Sequence, residues 1–222
     1  MYSILDKEER ARSANFVHQA DQFAFIAAHA LLRVMLCHFA GAEPGQWRFI
    51  TGSHGKPHLH QDHRHQAIEF NMSHTRGAVA CGMVSGCPIG IDIEDEDRAA
   101  SYVDIADAYF ATAELARLRA LPEAQRPGLF LLLWTLKEAY VKARGQGLSL
   151  PLDDFAFSLA PITISFRQPG FDNPAQWQFE SVRCNDRHRL SVAIRTGNPL
   201  PFICRQVSFD EIDNLIASSE VV

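Results

Sequence analysis

Apolar residues recur at helical spacing from about Lys7 to Phe39, where Phe16, Phe23, Ile26, Ala27, Ala30, Leu31, Val34 and Met35 mark one face. The spacing predicts one long helix, or two helices with a break near His18. A polar stretch from Gly41 to His65 follows, punctuated by Gly41, Pro44, Gly45, Gly52, Gly55 and Pro57, and reads as loop. The pattern then shortens to strand-like runs over Ile68–Asn71, Ala78–Val84 and Pro88–Glu94.

The second half repeats this order. Tyr102–Leu121 is predicted helical, with Asp104 and Asp107 early and Arg117 and Arg119 late, which suits the helix dipole. Gly128–Arg144 is predicted as a further helix, stopped by Gly145. Strands are expected over Phe155–Leu159, Ile162–Phe166, Gln176–Arg183 and Leu190–Arg195, with Asn173-Pro174 and Asn185-Asp186 as turns. Helices followed by strands, twice over, predict an α+β fold of two halves divided near Asp97–Ser101.

Composition narrows the function classes. A chain of 222 residues, 47% hydrophobic, has enough apolar material for a core, which excludes a disordered or fibrous protein. Its formal charge of −5 argues against nucleic acid as a partner. The five cysteines form no CxxC pair, which points to free thiols in a reducing compartment. The N-terminus lacks an apolar signal core, and the longest apolar run, Leu129 to Leu136 broken by Thr135, is too short to span a bilayer. A cytoplasmic protein that does not engage membranes is expected.

Four clusters carry candidate chemistry. In Pro88-Ile89-Gly90-Ile91-Asp92-Ile93-Glu94, a strand would bury the isoleucines and turn Asp92 and Glu94 to the opposite face. Carboxylates at i and i+2 lie roughly 6–7 Å apart along a strand. Either a hard divalent ion bridges them or they form a solvated acidic edge. On the Trp134–Lys142 helix, Trp134, Glu138 and Lys142 share a face, which fits a site or a simple surface Glu–Lys pair beside a core tryptophan. Phe70-Asn71-Met72-Ser73-His74-Thr75 ends a strand in hydrogen-bonding groups, either an anion site or a polar turn. Gly55-Lys56-Pro57 is a rigid turn presenting one lysine, and no Walker loop exists in the chain. The stretch His54, His58, His60, His63 and His65 has no cysteine partner and no standard zinc spacing, so a solvated loop is expected there.

Taken in order, GKP, FNMSH, GIDIE and WTLKEAYVKARGQGLSLPL resemble the 4′-phosphopantetheinyl transferase superfamily, in its two-lobed, surfactin-synthetase-activating form. The motifs span roughly residues 55–152, and the helix leading to Arg33 extends the likeness toward Asp6. The resemblance implies a pseudo-dimer of two similar lobes, residues 1–98 and 99–222. Each lobe would be a small, mostly antiparallel sheet packed with a long helix, with the active site in the cleft between them. It implies transfer of the 4′-phosphopantetheine group from coenzyme A to a serine of an apo acyl or peptidyl carrier protein. The alternative is a non-catalytic binder of coenzyme A or a carrier that retains the pocket.

By the same resemblance, Asp92, Glu94 and Glu138 hold Mg²⁺, with Mn²⁺ as an alternative ion. Asp92, Glu138 and Lys142 form the catalytic set. Arg12, Lys56, Ser73, His74, Lys137 and Lys142 contact coenzyme A, Arg12 at its 3′-phosphate. Carrier docking is expected on a patch including Phe110, Leu115, Arg117 and Leu118, and the protein is expected to act as a monomer.

Overall fold

A computed structural model describes residues 1–52, 55–60 and 67–219. The first helices are α1 (Lys7–Ser13) and α2 (Gln19–Ala40), with the break falling beside His18 as the spacing predicts. Asp6 and Glu9 close a capping box at the start of α1. Glu9 then meets the fully buried guanidinium of Arg33 from α2 at 2.8 Å, and Asp6 lies at the same distance. The carbonyls of Pro44 and Trp47 also accept hydrogen bonds from Arg33, so this buried charge fastens the N-terminus and the following loop to α2.

Among the described residues, α2 alone is long and apolar enough to cross a membrane. It passes that test although no single apolar run does, because Asp21 and Arg33 are its only Asp, Glu, Lys or Arg residues. Here Leu32 and Leu36 pack on Trp47 and Phe70, while Ala30 and Val34 pack on Ile4, Leu5 and α6 (Phe209–Ser219).

The stretch read as loop contains a short antiparallel ribbon, β1 (Phe49–Thr51) with β2 (Pro57–Leu59). Next come the β3 (Ile68–Thr75) and β4 (Ala78–Ser85) hairpin and the strand β5 (Ile89–Asp95). Tyr102–Leu121 does not form one helix. A 3₁₀ segment leads into α3 (Ala106–Tyr109), the chain extends at Phe110 and Ala111, and α4 (Thr112–Ala120) follows. The interruption lets Phe110 stack on Phe130 in the core and lets Glu114 face inward. The long helix α5 (Arg126–Arg144) ends at Gly145, whose φ of 65° is the left-handed conformation expected of a stop. The hairpin β6 (Phe155–Leu159) and β7 (Ile162–Phe166) precedes β8 (Trp177–Cys184) and β9 (His188–Arg195). The content is α+β.

Strand β5 ends before the boundary drawn at residue 98, but its pairing crosses that boundary. It pairs antiparallel with β9, giving the order β5-β9-β8, with Asp92 opposite Ser191. Alternation divides the strand as expected: Ile89, Ile91 and Ile93 join Leu190, Val192 and Ile194 in one cluster. The Gly90, Asp92 and Glu94 row faces α5. A side chain at Gly90 would place its Cβ 2.1 Å from the carbonyl oxygen of Ala139 and 2.2 Å from the amide nitrogen of Ala143. Helix and strand are therefore in backbone contact at this point.

The other edge of β5 has no backbone ladder to β3. Side chains join them instead: Ile91 N–H donates to Asn71 Oδ1 at 2.8 Å, and Ile93 N–H to Ser73 Oγ at 3.3 Å. Asn71, Ser73 and Thr75, two residues apart, form this seam.

The Gly90→Ala variant should lose about 3 kcal/mol or more of unfolding free energy, because a methyl group there meets backbone on both sides. A urea midpoint equal to that of the unaltered protein would show that the α5–β5 contact is looser than described.

Candidate active site

The contact at Gly90 sets the site. One helical turn beyond Trp134, α5 carries Glu138, and another turn on, Lys142. All three line a cleft of about 450 Å³ with Met72, Ser73 and His74 from β3 and Asp92 and Glu94 from β5. Lys142 does not form a surface pair with Glu138. Its Nζ reaches across to Asp92 Oδ1 at 2.5 Å and to Ser73 Oγ at 3.0 Å. Ser73 also donates to the same Asp92 oxygen at 3.0 Å, so its hydroxyl is engaged by both charged groups and by the Ile93 amide. The other carboxylate oxygen of Asp92, Oδ2, is buried and without a partner among the described residues. An orphaned carboxylate oxygen in a 4%-exposed residue is costly unless something fills its place.

The electrostatics agree. Burial raises the carboxyl of Asp92 above its ordinary value, against the pull of Lys142. Burial and then the Asp92 charge raise Glu94, and the same two influences in the same order raise Glu138. Thr75 holds one oxygen of Glu94 at 3.0 Å, whereas no hydrogen bond or ion pair reaches Glu138 among the described residues. His74 is exposed, and burial of part of its ring and the nearby Lys142 lower its pKa, which favours a neutral imidazole. Three acids against one ammonium leave an excess of negative charge that a cation would relieve. Among the described residues no three His, Cys, Asp or Glu side chains form a ready-made metal cage. Mg²⁺ does not require one, since it binds through one or two carboxylates, waters and substrate phosphates.

Comparisons with known proteins decide the family. Residues 1–83 match the family described as 4′-phosphopantetheinyl transferase, N-terminal, and residues 88–193 match the 4′-phosphopantetheinyl transferase superfamily. The 4′-phosphopantetheinyl transferase HetI of Nostoc is 34% identical over 159 residues, 72% of this chain and 67% of that protein. The 4′-phosphopantetheinyl transferase Sfp of Bacillus subtilis is 32% identical over 157 residues, 71% of this chain and 67% of its own length. The chain belongs to the 4′-phosphopantetheinyl transferase superfamily, Sfp type. A human L-aminoadipate-semialdehyde dehydrogenase-phosphopantetheinyl transferase is 24% identical over 207 residues.

Within this phosphopantetheinyl transferase, the residues expected to touch coenzyme A are not all brought together. Ser73, His74 and Lys142 line the cleft with the three acids. Lys137 does not. It is fully buried, its Nζ lies 2.7 Å from Glu114, and it donates to the carbonyls of Leu152 and Phe155 at 2.7 and 2.6 Å. The ammonium has three donors, and all are used, so this lysine is an internal fastener between α4, α5 and the entry to β6 rather than a phosphate ligand. Lys56 donates to the Ile89 carbonyl at 2.9 Å, at the outer end of β5 and away from the cleft lining. Arg12 is exposed, with its guanidinium over the ring of Phe25.

The expected docking patch is also revised. Phe110 and Leu118 belong to the core and Leu115 packs against it, leaving Arg117 as the exposed member. Of the histidine-rich stretch, His58 lies in β2, and His60 donates its amide to Arg48. His54, His63 and His65 lie outside the described residues. Sequence reading missed Glu114, and it placed Gly90, Asn71 and Thr75 in candidate clusters without assigning them the contacts they make. The Trp134, Glu138, Lys142 row gives no hint of Glu114, because the pair to Lys137 forms only when α4 folds back on α5.

Lys137→Met should lower stability by about 3–5 kcal/mol by leaving Glu114 buried without its partner. Lys142→Met should lower it far less, because this lysine is partly solvated. Chemical denaturation of both variants separates the two roles; equal losses would contradict it.

Proposed function

We propose that this cleft is where a serine of an apo carrier protein receives the 4′-phosphopantetheine group of coenzyme A, with release of adenosine 3′,5′-bisphosphate. The observation that carries the reading is the convergence of Asp92, Glu94, Glu138 and Lys142 on one cleft of a chain belonging to this transferase superfamily. The relatives are named as transferases, and this chain is an enzyme of that type. A non-catalytic binder is not favoured: binding alone gives no reason to crowd three carboxylates whose ionisation is mutually opposed.

The serine hydroxyl attacks the β-phosphorus, and negative charge grows on the phosphoryl oxygens. Lys142, held beside the cleft by Asp92 and Ser73, supplies positive charge to those oxygens. His74 offers a hydrogen bond at the same wall. Glu138, unpartnered and with a raised pKa, takes the serine proton directly or through a water. Asp92 through Oδ2, Glu94 and Glu138 would hold Mg²⁺ or Mn²⁺, and the bound ion would neutralise the diphosphate of coenzyme A.

The reading also proposes a pseudo-dimer of residues 1–98 and 99–222. In its support, α2 backs the β3–β4 hairpin as α5 backs β9. The protein would act as a monomer in the cytoplasm, with an acyl or peptidyl carrier as its partner and Arg12 and Lys56 toward the nucleotide end. Five free thiols support a reducing compartment.

Asp92→Ala and Glu138→Ala should each abolish transfer, and Lys142→Ala should slow it, when coenzyme A, Mg²⁺ and apo-carriers are incubated and the carrier mass is read. Full transfer by either acid variant would remove the three acids from the chemistry. A second expectation follows from pH. A carboxyl whose pKa is raised on folding favours the folded state only while protonated. Its contribution is present below the unfolded pKa and is lost as pH rises through the folded one. Without a divalent ion, stability should therefore fall as pH climbs through and above the ordinary carboxylate range. Mg²⁺ should raise the melting temperature at neutral pH, and Glu138→Gln should reduce that rise. A metal response that is equally large in acid would contradict the assignment.

A further inference from the structure

The sheet beneath α5 carries a polar row that the cleft does not use. Alternation turns Phe179 and Ser181 of β8 and Ala193 and Ser191 of β9 toward the helix, and the register sets Ser181, Ser191 and Asp92 side by side across the three strands. Phe179 and Ala193 pack with Leu136, Ala139 and Tyr140 of α5 in the apolar core. Ser191 and Thr135 are both fully buried there, and their hydroxyl oxygens lie 2.7 Å apart. Ser191 Oγ is also 3.1 Å from Ser181 Oγ, and Thr135 donates to the Leu131 carbonyl at 2.9 Å. Three hydroxyls thus form one chain from the helix backbone to β8. Neither Thr135 nor Ser191 lines the cleft.

Thr135, Glu138 and Lys142 stand at i, i+3 and i+7, which is one stripe of a helix. The hydroxyl bond therefore joins that stripe, one turn before Glu138, to the direct strand partner of Asp92. The packing around it is apolar and has no preferred direction, whereas a hydrogen bond has one. Contact at Gly90 sets how close helix and strand lie, and the Thr135–Ser191 bond sets how the helix is turned. Side-chain ends lie about 6 Å from a helix axis, so a rotation of about 10° moves a carboxylate by about 1 Å. A misplacement of about 1 Å in a catalytic group can cost about 100-fold in rate. We propose that Ser191, acting through Thr135, is a positioning residue that fixes the rotation of α5 and thereby the aim of Glu138 and Lys142 at Asp92. The inference rests on the transferase reading of the cleft.

The test measures steady-state transfer from coenzyme A to an apo carrier, with urea unfolding in parallel, for Ser191→Ala, Thr135→Val and Thr135→Ser. Valine keeps the volume of threonine without its hydroxyl, and serine keeps the hydroxyl without the methyl group. Ser191→Ala and Thr135→Val should lower kcat by about 10-fold or more and leave the KM for coenzyme A within about twofold, the pattern of an interaction expressed in the transition state. Thr135→Ser should hold kcat within about threefold although it loses a buried methyl group. A purely structural role predicts the reverse order, with Thr135→Ser the worse of the two. An unchanged kcat in Ser191→Ala and Thr135→Val, or an equal fall in Thr135→Ser, would overturn the proposal, and the Thr135 pair decides alone should Ser191→Ala not fold. Asp92→Ala, measured alongside, separates the two levels. Full transfer by Asp92→Ala would remove the reading of the cleft and this inference with it, whereas loss there beside an unchanged kcat in Ser191→Ala and Thr135→Val would remove only the positioning role.

Discussion

Backbone contact between α5 and β5 is the constraint on which the rest of the molecule depends. At Gly90 the helix lies against the strand with no room for a methyl group. From that point, helical rise and strand alternation carry the next functional residues of each element into the same space, Glu138 and Lys142 from one side and Asp92 and Glu94 from the other. Any larger residue at the contact would push the two walls apart by more than a hydrogen bond can stretch. A residue without a side chain therefore determines the reach of four that have long ones.

The charge distribution follows from this closeness. Lys142 is spent on Asp92 and Ser73, leaving Glu138 exposed to the fields of two other acids with no donor of its own. The opposite solution appears one residue earlier on the same helix. Lys137 and Glu114 are buried more deeply than any cleft residue, yet every donor and most acceptors are satisfied, by each other and by the backbone. Adjacent lysine and glutamate residues of one motif thus serve contrary ends, one closing an internal network and the other leaving a network open.

These contrasts explain what could be read beforehand. The alternation of isoleucine with Gly90, Asp92 and Glu94 states the strand and its two faces outright, and the Trp134, Glu138, Lys142 spacing states the helix face. Local periodicity does not state which partner a side chain will find. It allowed Lys142 to pair with Glu138 and Lys137 to face a phosphate, and both outcomes were decided by β5 and α4, tens of residues away. Helix α6 and the β1–β2 ribbon escaped for the same reason. The apolar pair Ile212 and Ile216 gains its meaning only against Ala30 and Val34 of α2, and the three-residue strands are too short to carry a period.

The seam between β3 and β5 has one more consequence. Because Asn71, Ser73 and Thr75 substitute for a ladder, the join is written in side chains at every second position, while the intervening Met72 and His74 line the cleft, where Ser73 also reaches. Insertion or deletion of a single residue in β3 would exchange these two rows, burying the imidazole in the join and turning the stitching hydroxyls outward. A change of length is therefore accommodated in the loops flanking this strand and not within it, since a shifted spacing here would require both the seam and the wall to be rebuilt together.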